Sequence, residues 1–146
     1  MFEIPQKFTG IDAEASDFKA FKTLCFTLQD LGFFKVINIT DYDYPKNYYD
    51  AEVCDSSGTY HLLMNCFVPY LCFKKGADES VCLLDKASVS SAINSINSDF
   101  IVLSCEQLNQ TVTDSHLVNL SRSERNDVKS WLPATVAEVM FSWFFD

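Results

Sequence analysis

The clearest pattern in the chain is an apolar stripe near its N-terminus. Apolar side chains recur there at steps of three and four residues, at Phe18, Phe21, Leu24, Cys25, Leu28 and Leu31. This spacing places them on one face of a helix. Asp12 or Ser16 can cap its first turn, and Gly32 can end it because glycine readily adopts the left-handed conformation that follows many helices. The pattern predicts an amphipathic helix that ends at Gly32.

Short runs of β-branched and aromatic residues follow this helix and predict strands. They cover residues 33–39, 48–55, 59–68, 69–75, 80–85 and 99–104. The last run is apolar throughout, which is typical of a buried strand. Residues 41–50 are polar and contain Pro45, so we expect this segment to lie in a loop outside the core.

The second half of the chain has helical signals. Residues 86–98 carry isoleucine and valine at helical spacing, and Ser104 can cap a short helix after it. Ser121 and Glu124 have the spacing of a capping box, in which each side chain binds the free backbone N–H of the other residue. Pro133 suits the first turn of a last helix that runs to the C-terminus. The order of elements predicts a single domain, residues 1–146, in the α+β class or else the α/β class. We expect a mostly antiparallel sheet of about five strands, packed by an N-terminal helix and C-terminal helices.

Charge narrows the choice of partners. The 146 residues carry 11 basic and 20 acidic side chains, for a net charge of −9. This balance argues against direct binding to nucleic acid or to an anionic membrane, since both need a basic surface. We expect a partner that is neutral or basic. The first ten residues do not resemble a signal peptide, and no apolar run reaches the roughly 18 residues of a transmembrane helix. The expected location is the cytoplasm, with the six cysteines as free thiols.

Catalytic motifs are not recognisable in the sequence. His61 and His116 have no second histidine or cysteine at zinc-ligand spacing, so we predict no metal site. Four glycines do not form a phosphate-binding loop, and no nucleophile-elbow or metalloprotease motif is present. We therefore predict a protein that is not an enzyme and needs no cofactor. A cysteine–histidine pair that meets only in the folded chain stays open as an alternative.

The strongest candidate for a binding surface is the stretch between residues 41 and 55. It combines tyrosines, which are common in binding hot spots, with carboxylates that complement a basic partner. The candidate partner-binding residues are Asp41, Tyr42, Asp43, Tyr44, Tyr48, Tyr49, Asp50, Glu52 and Asp55. The competing interpretation is that two of the tyrosines pack inward as the strand begins, while the acids are merely solvated.

One C-terminal pattern resembles a known group of proteins. It comprises Leu120-Ser121-x-x-Glu124, Val128, Trp131-x-Pro133-x-Thr135-Val136-x-Glu138-Val139-x-Phe141 and a final Asp146. This ending resembles that of small bacterial immunity proteins, encoded beside the toxins of contact-dependent growth inhibition and related polymorphic toxin systems. The sequence departs from that pattern at Ala137, Ser142 and Phe145, where the pattern has Gly, Asn and Trp.

The resemblance implies an immunity protein that neutralises a cognate toxin, expected to be a nuclease, by stoichiometric occlusion. Its partner would be a toxin domain with a basic surface. Two alternatives remain open. One is a small cytosolic enzyme with a Cys/His or carboxylate site, and the other is an adaptor subunit that oligomerises through its apolar C-terminus.

Overall fold

A computed structural model describes residues 2–6, 8, 18–42, 46–75, 83–131 and 133–141. Helix α1 spans Phe18–Asp30 and buries Phe21, Leu24, Cys25 and Leu28 along one face. The chain turns at Gly32, where φ is 86°, a value that favours glycine. The predicted amphipathic helix is confirmed. Leu31 lies just beyond its end and is exposed. The candidate caps Asp12 and Ser16 lie outside the described residues.

The centre of the fold is a sheet built mainly from an antiparallel meander. Strands β1 Lys35–Thr40, β2 Tyr48–Asp55, β3 Gly58–Asn65 and β4 Tyr70–Lys74 pair in chain order. Beside β4, two short strands share the same edge: β5 Leu83–Leu84 pairs antiparallel with its end, and β6 Ile101–Val102 pairs parallel with its beginning. The predicted α+β fold with a mostly antiparallel sheet is confirmed.

Each face of the sheet packs against its own layer, because successive side chains of a strand point in opposite directions. On the face that we call the front, Ala51, Leu62 and Phe73 contact α1 and the helix α2, Ala87–Ile96. On the opposite or back face, Leu63 and Cys72 contact the C-terminal segments together with Ile4 and Phe8. The sheet therefore separates two apolar cores.

The back layer consists of short capped helices. They are α3 Cys105–Leu108, a 3-10 helix Asp114–Leu117, α4 Arg122–Trp131 and α5 Val136–Met140. The predicted capping box of α4 is confirmed: the Ser121 hydroxyl accepts from the Glu124 N–H at 3.2 Å, and the Glu124 carboxylate accepts from the Ser121 N–H at 3.4 Å. The Ser104 cap of α3 is also confirmed, with Gln107 as its partner.

The start of the last helix differs from its prediction. Helix α5 begins at Val136 and not at Pro133, because Thr135 is the residue that caps it. The Thr135 hydroxyl accepts from the Glu138 N–H at 3.4 Å, and the Glu138 carboxylate accepts from the Ala134 N–H at 2.6 Å. The predicted continuation beyond Phe141 lies outside the described residues.

Two buried asparagines join the back layer to the sheet. The Asn65 amide donates to the carbonyl oxygens of Phe8, at 3.2 Å, and Met140, at 2.8 Å. Its oxygen accepts from the N–H groups of Phe67 and Val68. Asn47 donates to the Val139 carbonyl at 3.4 Å. Both ends of the described chain are thus fixed at one end of β3.

In the ranges that the structure describes, no helix combines the length and the apolar character needed to cross a membrane.

Candidate functional site on the back face of the sheet

A row of polar residues crosses the back face of four neighbouring strands. In the register of the sheet, Asn38 of β1 is opposite Glu52 of β2, Glu52 is opposite His61 of β3, and His61 is opposite Lys74 of β4. Residues that are directly opposite point to the same face. Asp50 lies on this face as well, two residues before Glu52. We call Asp50, Glu52, His61 and Lys74 the sheet-face cluster.

His61 is at the centre of the cluster and is held between two carboxylates. Its Nδ1 lies 2.7 Å from Asp50 Oδ1, and its Nε2 lies 3.7 Å from Glu52 Oε2. An ionised carboxylate only accepts hydrogen bonds, so Nδ1 carries the proton of the short bond. The His61 side chain is 7% exposed, whereas the Asp50 and Glu52 side chains are 33% and 37% exposed. The buried imidazole of His61 therefore holds the Asp50 carboxylate in place, while solvent still reaches that carboxylate.

Lys74 adds a positive charge at the other side of His61. The residue is 8% exposed. Within the described part of the chain, no hydrogen-bond acceptor or carboxylate is paired with its amino group. Its field acts on the neighbouring Cys72 thiol, whose pKa is raised by burial and only partly lowered by Lys74. Lys74 is thus a largely buried cation without a partner among the described residues.

The geometry of the cluster does not present His61 as an exposed general base. A carboxylate that orients a histidine is the arrangement of a general base, but Nε2 of His61 faces Glu52 and the ring is buried. The nearby Cys72 is a poor nucleophile because its raised pKa keeps it as a thiol. No group of three or more metal-ligating side chains occurs among the described residues.

The predicted tyrosine surface is wrong for Tyr48 and Tyr49. Both belong to β2 and are buried, at 8% and 1% exposure. Strand alternation sends Tyr48 into the back core and Tyr49 into the front core. There, Tyr49 stacks on Phe21 with ring centroids 5.7 Å apart. These two tyrosines stabilise the fold, which is the role that the competing interpretation gave them.

The remaining candidates do not form one surface either. Tyr42 is half-buried and packs its ring against Tyr49 and Phe67. Asp41 is exposed just after β1. Asp55 lies at the turn between β2 and β3, where a hydrogen bond from Ser57 keeps its pKa below the usual value. Asp43 and Tyr44 lie outside the described residues. Of the nine predicted residues, Asp50 and Glu52 are the two that the structure places in the sheet-face cluster.

The second histidine has a structural role. His116 is buried, and its Nδ1 accepts from the Thr113 N–H at 3.0 Å. The proton is therefore on Nε2, which donates to the Gln110 side-chain oxygen at 2.9 Å. His116 caps the 3-10 helix and has no atom left for another ligand.

Comparison with known proteins adds no relative: the chain matches no family model, no curated protein and no solved structure. The functional argument therefore depends on the site itself.

Proposed function

We propose that this protein is an immunity protein, which binds a cognate toxin in the cytoplasm and occludes its active surface without catalysis. The observation that carries the proposal is the pair of carboxylates of Asp50 and Glu52. They are partly exposed, lie on one face of a rigid sheet and are held on either side of a buried His61. A chain with a net charge of −9 would attract a basic toxin domain over a longer range.

Preorganisation supports binding through these two carboxylates. They belong to the second strand of a four-stranded meander, so their backbone is fixed by hydrogen bonds on both sides. The short bond from His61 also restricts the Asp50 side chain. Side chains that are ordered before association lose less entropy when a partner binds. A lysine or arginine of the toxin would meet acceptors that are already in place.

The C-terminal resemblance is consistent with this proposal through the fold. Thr135 and Glu138 cap α5, while Val136, Val139 and Phe141 are buried in the back core. The residues that carry the resemblance therefore support the layer next to the sheet-face cluster. They describe how α5 is capped and packed, and the function implied by the resemblance is part of the proposal.

The test uses the toxin domain encoded next to this chain, with a nuclease as the expected activity. The double variant Asp50→Asn, Glu52→Gln removes both charges, and the amide oxygen introduced at position 50 can still accept the bond from His61. We expect association to slow by about tenfold at low salt, and the difference from the native chain to shrink as salt rises. Stopped-flow fluorescence at low and high salt measures both rates.

A matched control separates a local effect from net charge. Both Asp30 and Asp99 are exposed: Asp30 ends α1 in the front layer, and Asp99 lies between α2 and β6. Asp30→Asn, Asp99→Asn changes the net charge by the same amount and should slow association much less. Equal slowing in the two variants would assign the binding surface elsewhere. Failure of the native chain to bind the toxin domain, or to protect cells from it, would overturn the proposed function.

A further inference from the structure

A binding surface for cations explains the two carboxylates of the sheet-face cluster, but it does not explain Lys74. The Lys74 side chain is largely buried, yet its ammonium forms no ion pair with a described residue. Lys86 is a contrast within the same fold: its amino group binds Asp55 at 3.3 Å and Ser57 at 2.9 Å and covers the Tyr60 ring. The carboxylates of Asp50 and Glu52 lie one strand beyond His61 and are instead directed at His61.

The amino group of Lys74 is not fully buried, although most of its side chain is. Among the described residues, the fully buried side-chain polar atom without a partner is the Tyr60 hydroxyl, so the unpaired Lys74 amino group is not fully buried. Its stem is confined by the sheet, as the 8% exposure of the residue indicates. A confined cation that reaches the surface loses little side-chain entropy when an anion binds.

We infer that Lys74 binds a carboxylate of the toxin, so that the sheet-face cluster recognises both signs of charge. The inference rests on the proposed function and specifies the partner chemistry at the same site. Asp50 and Glu52 would accept from basic side chains, while Lys74, one strand away from His61, would donate to an aspartate or glutamate. Such an alternation fixes the orientation of the two proteins and rejects partners that are only basic.

The variant Lys74→Met tests the inference, because the inference predicts weaker binding to the toxin domain. Methionine keeps an unbranched apolar stem and removes the charge. We expect the dissociation constant for the toxin domain to rise at least about tenfold, mainly through faster dissociation, because a desolvated charge pair is lost. If Lys74 only neutralises the two acids, its removal will leave binding to a basic partner unchanged or make it tighter, and that result would overturn the inference.

The neighbouring Lys75 supplies a control with the same change in net charge. It is exposed and follows the end of β4. Lys75→Met should therefore change the dissociation constant less than about twofold, as expected for an exposed rim charge. Equal losses in the two variants would also overturn the inference. If the native chain does not bind, the proposed function fails first and this inference fails with it.

A measurement on the native chain avoids any dependence on the folding of variants. Lysine acetylation, followed by mass spectrometry with and without bound toxin domain, should show that the toxin protects Lys74 more than Lys75. Equal acetylation of Lys74 in the free and bound chain would contradict the inference. Titration with inorganic phosphate should give no saturable binding at millimolar concentration. Saturable binding that is lost in Lys74→Met would show that the site binds a free anion. That result would overturn the inference that Lys74 binds a carboxylate of the toxin.

Discussion

At the scale of single residues, the Tyr60 hydroxyl reduces the stabilisation that the packing of its own aromatic ring gives to the fold. The ring packs against Phe34 and Phe73, with centroids 6.3 and 6.0 Å apart. The hydroxyl is buried and has no hydrogen-bond partner in the described part of the protein. Burial, with a smaller effect from the charge of Asp55, raises the pKa of Tyr60 to about 12.

Tyr60→Phe should therefore leave the free energy of unfolding unchanged or raise it by up to about 1 kcal/mol, because it removes an unpaired polar group and keeps the ring. Urea unfolding followed by tryptophan fluorescence measures this difference. Tyr60→Ala is the control for the ring, and we expect it to lose about 3–5 kcal/mol. A loss of more than about 1 kcal/mol in Tyr60→Phe would mean that the hydroxyl is bonded after all.

Residue patterns predicted part of the candidate site. Asp50 and Glu52 were found from the density of acids and tyrosines, whereas Tyr48 and Tyr49 beside them are core residues. Composition of a segment does not separate the two faces of a strand. His61 and Lys74 were missed as site residues, since they meet Glu52 only through the pairing of three strands. That register is set by the turns and by the apolar pattern of neighbouring strands together, and the composition of one segment does not contain it.

At the scale of elements, Asn65 determines how the back layer is attached to the sheet. It makes four hydrogen bonds, two of which go to backbone carbonyls of the N-terminal segment and of α5. Asn65→Ala leaves these buried groups without partners, and each unsatisfied group costs about 1–3 kcal/mol. We expect a loss of at least about 3 kcal/mol in the free energy of unfolding.

Chemical denaturation of Asn65→Ala and of a control variant checks this expectation. Asn94 is exposed in the middle of α2, so Asn94→Ala should change stability by no more than about 0.5 kcal/mol. If the two alanine variants have the same stability, the back layer is held by its apolar contacts alone.

Element boundaries were predictable where a local cap or turn decides them. Gly32 ends α1, and Ser121 with Glu124 starts α4, as their sequence motifs indicate. The last helix was misplaced because two capping signals compete there, and Thr135 prevails over Pro133. Residues 101–102 were predicted to be buried, yet Ile101 is 42% exposed. Among the described residues this strand pairs with β4 alone, so its apolar run lies at an edge of the described sheet.

At the scale of the whole molecule, the reactivity of the cysteines shows whether the front and back cores unfold together. Cys25, Cys66 and Cys72 are buried, and burial raises the pKa of each thiol. Cys54 is only half-buried. Because the thiolate is the reactive form, we expect iodoacetamide to modify Cys54 first among the described cysteines of the folded protein. Cys25 in the front core and Cys72 in the back core should react only through unfolding.

Mass spectrometry of samples quenched over time measures the rate at each cysteine. Equal rates at Cys25 and Cys72 would indicate that the front and back cores open together, as a cooperative domain does. Fast modification of Cys72, with Cys25 still protected, would contradict this expectation. Cys105 is half-buried with a raised pKa, mainly through desolvation, so it should react more slowly than Cys54. Cys82 lies outside the described residues.

The attachment of both chain ends at Asn65 also has a consequence for synthesis. Its partners lie 57 and 75 residues away along the chain, and the ribosome adds about 5–20 residues per second. The sheet and the front helices can leave the ribosome before α5 exists. For seconds, the nascent chain therefore exposes the apolar back face around Leu63 and Cys72. We expect chaperones to bind during this interval. It ends when Met140 has been synthesised and its carbonyl can accept the hydrogen bond from Asn65.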